Sequence, residues 1–133
     1  GIKAARPDLP LAVVTGDGCM LMHGMEIHTA ARYGLAVVFV VINNQALGNV
    51  WLRSSKQGPG PAGLTEIPGR DFAAMARSLG LEAATVTTPG ELAPAFDKAL
   101  ASGRPYLVDV RCDKRFTTPV APFGQAKALW VDE

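Results

Sequence analysis

The chain has 133 residues, enough for one domain with a core of its own and too few for two of ordinary size. Its 13 basic and 12 acidic side chains leave a formal charge of +1, which gives no electrostatic footprint for nucleic acid or an anionic membrane. Hydrophobic residues make up 48% and charged ones 19%, so part of the apolar surface is expected to be buried against another domain or a second copy of the chain.

In chain order, "GIKAARPDLP" opens without Met and without the apolar segment of a signal peptide, so the chain reads as a fragment of a longer protein. "LAVVT" at 11–15 is uniformly apolar, β-branched and closed by glycine, as expected of a strand covered on both faces. The spacing of Met20, Ile27 and Ala31 predicts a helix from Met20 to Tyr33, with Gly34 as a left-handed stop. "AVVFVVIN" at 36–43 is a second buried strand, and strand-helix-strand over some thirty residues is a βαβ unit. The strictly apolar run 35–42 is eight residues long and too short to span a bilayer.

Residues 45–70 form a long connection rich in glycine and proline, read as a mobile active-site segment. A helix is expected near 71–79 with Asp71 as N-cap, then a strand near 82–87, a helix near 89–102 and a strand near 105–111. Thr88-Pro89-Gly90-Glu91 is a capping box with proline at the first helical position, while Pro94 predicts a kink or a later start. The tail after Cys112, with Pro119 and Pro122, has no clear periodicity. The whole predicts an α/β domain of three layers, with helices on a mostly parallel sheet.

Parallel sheets gather ligands outside the carboxyl ends of their strands, where Asp17 and Asn44 both stand. On neighbouring strands, roughly 4.8 Å apart, the two side chains can converge on one small cation. Their oxygens suit Mg²⁺ or Ca²⁺ rather than zinc, and a single carboxylate leaves the ion net positive and able to hold an anion. Gly16 and Gly18 allow close backbone approach, and Gly18 and Cys19 lead into a helix whose free N–H groups favour phosphate. Metal-bridged diphosphate is the ligand this stretch predicts. His23 and His28, five positions apart, make no zinc motif, and Met20, Met22 and Met25 are expected in the core. Cys19 and Cys112 form no CxxC pair, in keeping with a reducing cytoplasm, where the protein is expected.

The succession of GDG, a helix carrying "MEIHTAARYGL", an apolar strand and NN resembles the diphosphate-binding motif of thiamine diphosphate-dependent enzymes. The likeness is to the acetolactate synthase, pyruvate oxidase and benzoylformate decarboxylase group, and "GELAPAFDKALASGRPYLVDV" resembles the final domain of that group. The resemblance implies a C-terminal diphosphate-binding domain over 1–133 that binds thiamine diphosphate with Mg²⁺. Asp17 and Asn44 would ligate the ion by side chain and Ala46 by its carbonyl, while Gly16, Gly18 and Cys19 complete the cofactor contacts. Glu26 would be structural or solvated. The activating glutamate of the family lies on a separate pyrimidine-binding domain, contributed across a homodimer or homotetramer interface, and no residue here matches its motif. The chain is therefore expected to hold no catalytic residue, and to be inactive alone.

The group usually continues after the Asn pair with Gly-Met-Val and a tryptophan, whereas "GNVWLR" puts Asn49 and Arg53 at the methionine and tryptophan positions. A small-molecule 2-oxo acid is the expected substrate of the whole enzyme, with another 2-oxo acid or an acyl-CoA as alternatives to the acetolactate reaction. Other readings are weaker: a phospho-acceptor receiver would need a further acidic pair and a strand-end lysine. A dinucleotide fold would need glycine where Leu21 stands, and no P-loop occurs. A non-catalytic assembly domain of the same fold is the more serious rival.

Overall fold

A computed structural model describes residues 1–115. After a short helix α1 (Ile2–Ala5), the order is β1 (Leu11–Gly16), α2 (Asp17–His23), a 3₁₀ turn (Gly24–Glu26), α3 (Ile27–Arg32) and β2 (Val37–Asn43). Then follow α4 (Gly48–Ser55), α5 (Pro59–Gly63), α6 (Phe72–Ser78), β3 (Glu82–Val86), α7 (Pro89–Ala101) and β4 (Tyr106–Arg111). The four strands form one parallel sheet in the order β1-β2-β4-β3. Pro119 and Pro122 lie outside the described residues.

The helices divide between the faces as a single crossover hand requires. The steps from β1 to β2 and from β2 to β3 cross the sheet in one direction, and their helices pack on one face around Met20, Ile27, Val41, Phe72, Ala76 and Leu107. The step from β3 to β4 runs backward, so α7 covers the opposite face, with Ala99 against Val38, Val40, Tyr106 and Val108. Alternation along β2 serves both cores, since Val41 points to the first and Val38 and Val40 to the second. The three-layer α/β fold is as expected.

Local details depart from the sequence reading. The helix expected over 20–33 starts earlier, at Asp17, and breaks at Gly24. Gly24 is buried, and a Cβ there would overlap Met20 Sδ, so the residue that lets the turn pack is also a weak helix former. Gly34 does take the left-handed conformation, at φ 61°. Met22 and Met25 are not in the core: they are 67% and 65% exposed, and only Met20 packs inward. The long connection 45–70 contains α4 and α5, and its two ends meet in an antiparallel bridge between Ala46 and Glu66. Helix α7 begins at Pro89 despite Pro94, with both halves of the Thr88–Glu91 capping box formed. Pro94 therefore costs one hydrogen bond, to the Gly90 carbonyl, without delaying the start. Asp71 caps α6 by accepting the Ala74 N–H at 2.7 Å.

Candidate functional site

Register places the ends of β1 and β2 side by side, with Gly16 beside Ile42, so the residues just beyond each strand share one rim of the sheet. Gly16 is the N-cap of α2 and Asp17 its first residue. Asp17 is 2% exposed, an unusual place for a carboxylate without a cationic partner. Its charge is met by backbone instead: Oδ1 accepts the Gly18 N–H at 2.7 Å and Oδ2 the Gln45 N–H at 2.6 Å. The second bond ties the tip beyond β1 to the tip beyond β2.

That second tip is a tight turn. Gln45 has φ 60°, uncommon for a residue with a side chain, and Asn44 Oδ1 accepts the Ala46 N–H at 3.2 Å. The Ala46 carbonyl accepts the Gly48 N–H at 2.7 Å. Gly16, Asp17, Gly18, Cys19, Asn44 and Ala46 all line one open groove of about 290 Å³, whose far wall is Leu47, Gly48 and Val50 of the excursion. An added Cβ at Gly16 would meet nothing within 4 Å, whereas one at Gly18 would lie 2.8 Å from Leu47 Cδ2. The floor is thus open above Gly16 and closely packed behind Gly18.

The donor set fits a hard divalent cation with a diphosphate. The groove offers a carboxylate, a side-chain amide oxygen and a backbone carbonyl, each with a lone pair beyond its present hydrogen bond. Among the described residues no group of three His, Cys, Asp or Glu side chains gathers to hold a metal ion, so a cation here would depend on amide and carbonyl oxygens beside Asp17. Of the two N–H groups expected to face an anion, that of Gly18 already donates to Asp17, while Cys19 sits in the first turn of α2, where N–H groups lack intrahelical partners. Glu26, His23 and His28 are exposed and line no part of this groove, and His28 Nδ1 lies 3.4 Å from the Leu79 carbonyl.

Two features escaped the sequence reading. The first Asn of the pair does not face the groove: Asn43 is 1% exposed and donates from Nδ2 to Asp109 Oδ1 at 2.9 Å and to the Arg70 carbonyl at 3.0 Å. Asp109 is fully buried, and its Oδ2 also accepts the Phe72 N–H at 3.2 Å and pairs with Arg111 at 2.9 Å. The visible signal was a lone acid inside the apolar run "YLVDV". The second is a clasp on the excursion, where Glu66 accepts from the Trp51 indole and from Lys114, whose ammonium lies 5.4 Å from the Trp51 ring centre. Lys114 first, then Trp51, holds the Glu66 carboxyl below its ordinary range. At the back of the Asn44 turn, burial and then the Asp17 and Asp113 charges push the Cys112 thiol up.

The pattern of the thiamine pyrophosphate enzyme C-terminal TPP-binding domain matches residues 1–110. Benzoylformate decarboxylase of Pseudomonas aeruginosa is 34% identical over 111 residues, covering 83% of this chain and 21% of that protein. An acetolactate synthase large subunit of Mycobacterium tuberculosis is 33% identical over 121 residues, covering 88% and 21%. Among solved structures, the thiamine diphosphate-dependent 4-hydroxybenzoylformate decarboxylase of Rhodococcus jostii RHA1 superposes with a TM-score of 0.75 at 30% identity, over 84% of this chain and 21% of that one. The chain thus spans about a fifth of the length of the relatives it matches. The GDG and NN tips, the parallel sheet that brings them together and this match over most of the sequence have one reading: the chain belongs to the thiamine pyrophosphate enzyme family and corresponds to its C-terminal TPP-binding domain.

Proposed function

We propose that the chain holds the diphosphate of thiamine diphosphate through Mg²⁺, as the C-terminal domain of an acetolactate synthase-like enzyme that decarboxylates or carboligates 2-oxo acids. The observation that carries this reading is the shared groove, in which buried Asp17 and Ala46 and half-buried Asn44 present oxygens beside the start of α2. Asp17 supplies the one full negative charge, and Asn44 and Ala46 supply neutral oxygens, so the bound ion keeps the positive charge that attracts the diphosphate. Cys19 offers its backbone N–H in the first turn of the helix, while the Gly18 N–H is spent on Asp17, and Gly16 leaves room for close approach. Thiamine diphosphate supplies the carbanion chemistry when bound, and this domain orients it.

The activating glutamate comes, in this reading, from a pyrimidine-binding domain across a homodimer or homotetramer interface, and the chain alone is inactive. Val14, Leu21, Met22 and Met25 support such a partner: they are exposed along the edge of the sheet and on the neighbouring helices, where water is a poor solvent for them. The cytoplasm is the proposed location. Asn49 and Arg53, on α4, favour a second reading of the substrate, in which another 2-oxo acid or an acyl-CoA replaces pyruvate.

Titration calorimetry with thiamine diphosphate and Mg²⁺, on the chain assembled with its pyrimidine-binding domain, tests the cofactor role. Mg²⁺-dependent binding to wild type, lost in Asp17→Ala, is expected; equal binding by both overturns the site and leaves the non-catalytic assembly domain. Assay of the assembled enzyme with pyruvate tests the substrate, and release of neither carbon dioxide nor acetolactate removes the acetolactate assignment.

A further inference from the structure

Asn43 stands directly before the Asn44 turn, and it is held from three sides. Its Nδ2 donates to Asp109 Oδ1 and to the Arg70 carbonyl, and its own carbonyl accepts the Cys112 N–H at 3.1 Å. Asp109 joins the same knot to the start of α6 through the Phe72 N–H, and Arg111 balances its charge at Nε and Nη2. One buried carboxylate therefore fastens the end of β2, the end of β4 and the returning end of the excursion at residues 70–72. From this anchor the chain passes into Asn44 and the left-handed Gln45, whose N–H reaches Asp17 on the far side and whose carbonyl accepts the Ile67 N–H at 2.8 Å.

A left-handed residue that is not glycine persists only where its surroundings over-determine it. Here Asp17 and the Ile67 N–H hold the turn beyond Asn44, and the Asn43 knot holds it before. We infer that Asp109 and Asn43 form a positioning pair for the 44–46 turn, fixing where the Asn44 amide and Ala46 carbonyl oxygens sit for a divalent cation. This rests on the reading of that turn as the Mg²⁺ site. The first Asn of the pair then has a task distinct from the second: it holds the strand end while Asn44 faces the groove. A purely structural knot would lower stability and leave the affinity of the folded site for metal unaltered.

The experiment separates the two. Mg²⁺ is titrated at saturating thiamine diphosphate into the assembled protein, wild type and Asn43→Ala, by calorimetry, and Mn²⁺ is followed in parallel by electron paramagnetic resonance. The expected result is a folded variant whose apparent Mg²⁺ affinity is weaker by about ten- to hundredfold, the range for residues that orient metal ligands, with an altered Mn²⁺ spectrum. Excess Mg²⁺ restores cofactor binding. A variant that melts earlier but binds Mg²⁺ within about twofold of wild type overturns the pair. Should Asn43→Ala not fold, Asn43→Ser, which keeps a shorter donor, is read by the same titration and the same criterion. Asp17→Asn is the control: if it binds Mg²⁺ as wild type does, the site itself is misassigned, whereas its loss beside normal Asn43 variants refutes the positioning role alone.

Discussion

Asp17→Asn is the sharpest single perturbation because it keeps the shape and changes only charge and donor pattern. Asp17 accepts one N–H at each carboxylate oxygen, from Gly18 and from Gln45. An amide has a single oxygen, so whichever way it flips, its NH₂ faces one of those donors and leaves a buried N–H unpaired, a cost of about 1–3 kcal/mol. An opposing effect exists, since the substitution removes a buried charge and its desolvation penalty. The lost bonds outweigh it because both oxygens are already satisfied by backbone dipoles that a neutral amide uses less well. The apo variant is therefore expected to be less stable than wild type.

Cofactor adds a second measurable difference. At 100 times the dissociation constant, a ligand stabilises the folded state by about 2.7 kcal/mol. With roughly 2.1 cal/mol/K of unfolding entropy per residue over the chain's 133 residues, that corresponds to a rise of about 10 °C in Tm. Scanning calorimetry with and without Mg²⁺ and thiamine diphosphate reads both: Asp17→Asn should melt below wild type when apo and show no ligand-induced rise. A variant more stable than wild type without ligand would mean that desolvation dominates at Asp17, and an undiminished rise with ligand would refute its role at the cation.

Phe72→Ala should cost about 3–5 kcal/mol in urea unfolding, since Phe72 is 1% exposed in the core under α6 and its backbone N–H also caps the Asp109 knot; a loss under about 1 kcal/mol would show that this core collapses around the cavity. Glu91 sits below its ordinary value of 4.5 because the Thr87 N–H, then the Thr88 N–H, bond its carboxylate. A depressed folded value means stabilisation that is present above the unfolded pKa and disappears as pH falls through the folded one. Denaturation of wild type and Glu91→Gln at a series of pH values should thus show a gap at neutral pH that closes in acid, and a gap independent of pH would contradict the capping role.

Much of the domain was legible in the one-dimensional pattern. Continuous apolar runs at 11–15 and 36–43 announced two strands, and the Thr88–Glu91 capping box marked the start of α7 to the residue, because these signals are local. Cover on both faces held for β2 but not for β1, an edge strand whose Ala12, Val13 and Val14 are exposed. The alignment of Asp17 and Asn44 at one rim also followed from sequence, since parallel strands place their carboxyl ends together. Tertiary structure alone decided the rest. Whether Met22 and Met25 point inward depends on a helix broken at Gly24, and that break is set by packing against Met20. Which Asn of the pair faces the groove depends on Asp109, 66 positions away, a contact that no spacing along the chain encodes. Local propensity and periodicity act over a few residues, whereas the satisfaction of a buried polar group is settled by whichever distant atoms the sheet register brings within hydrogen-bond reach.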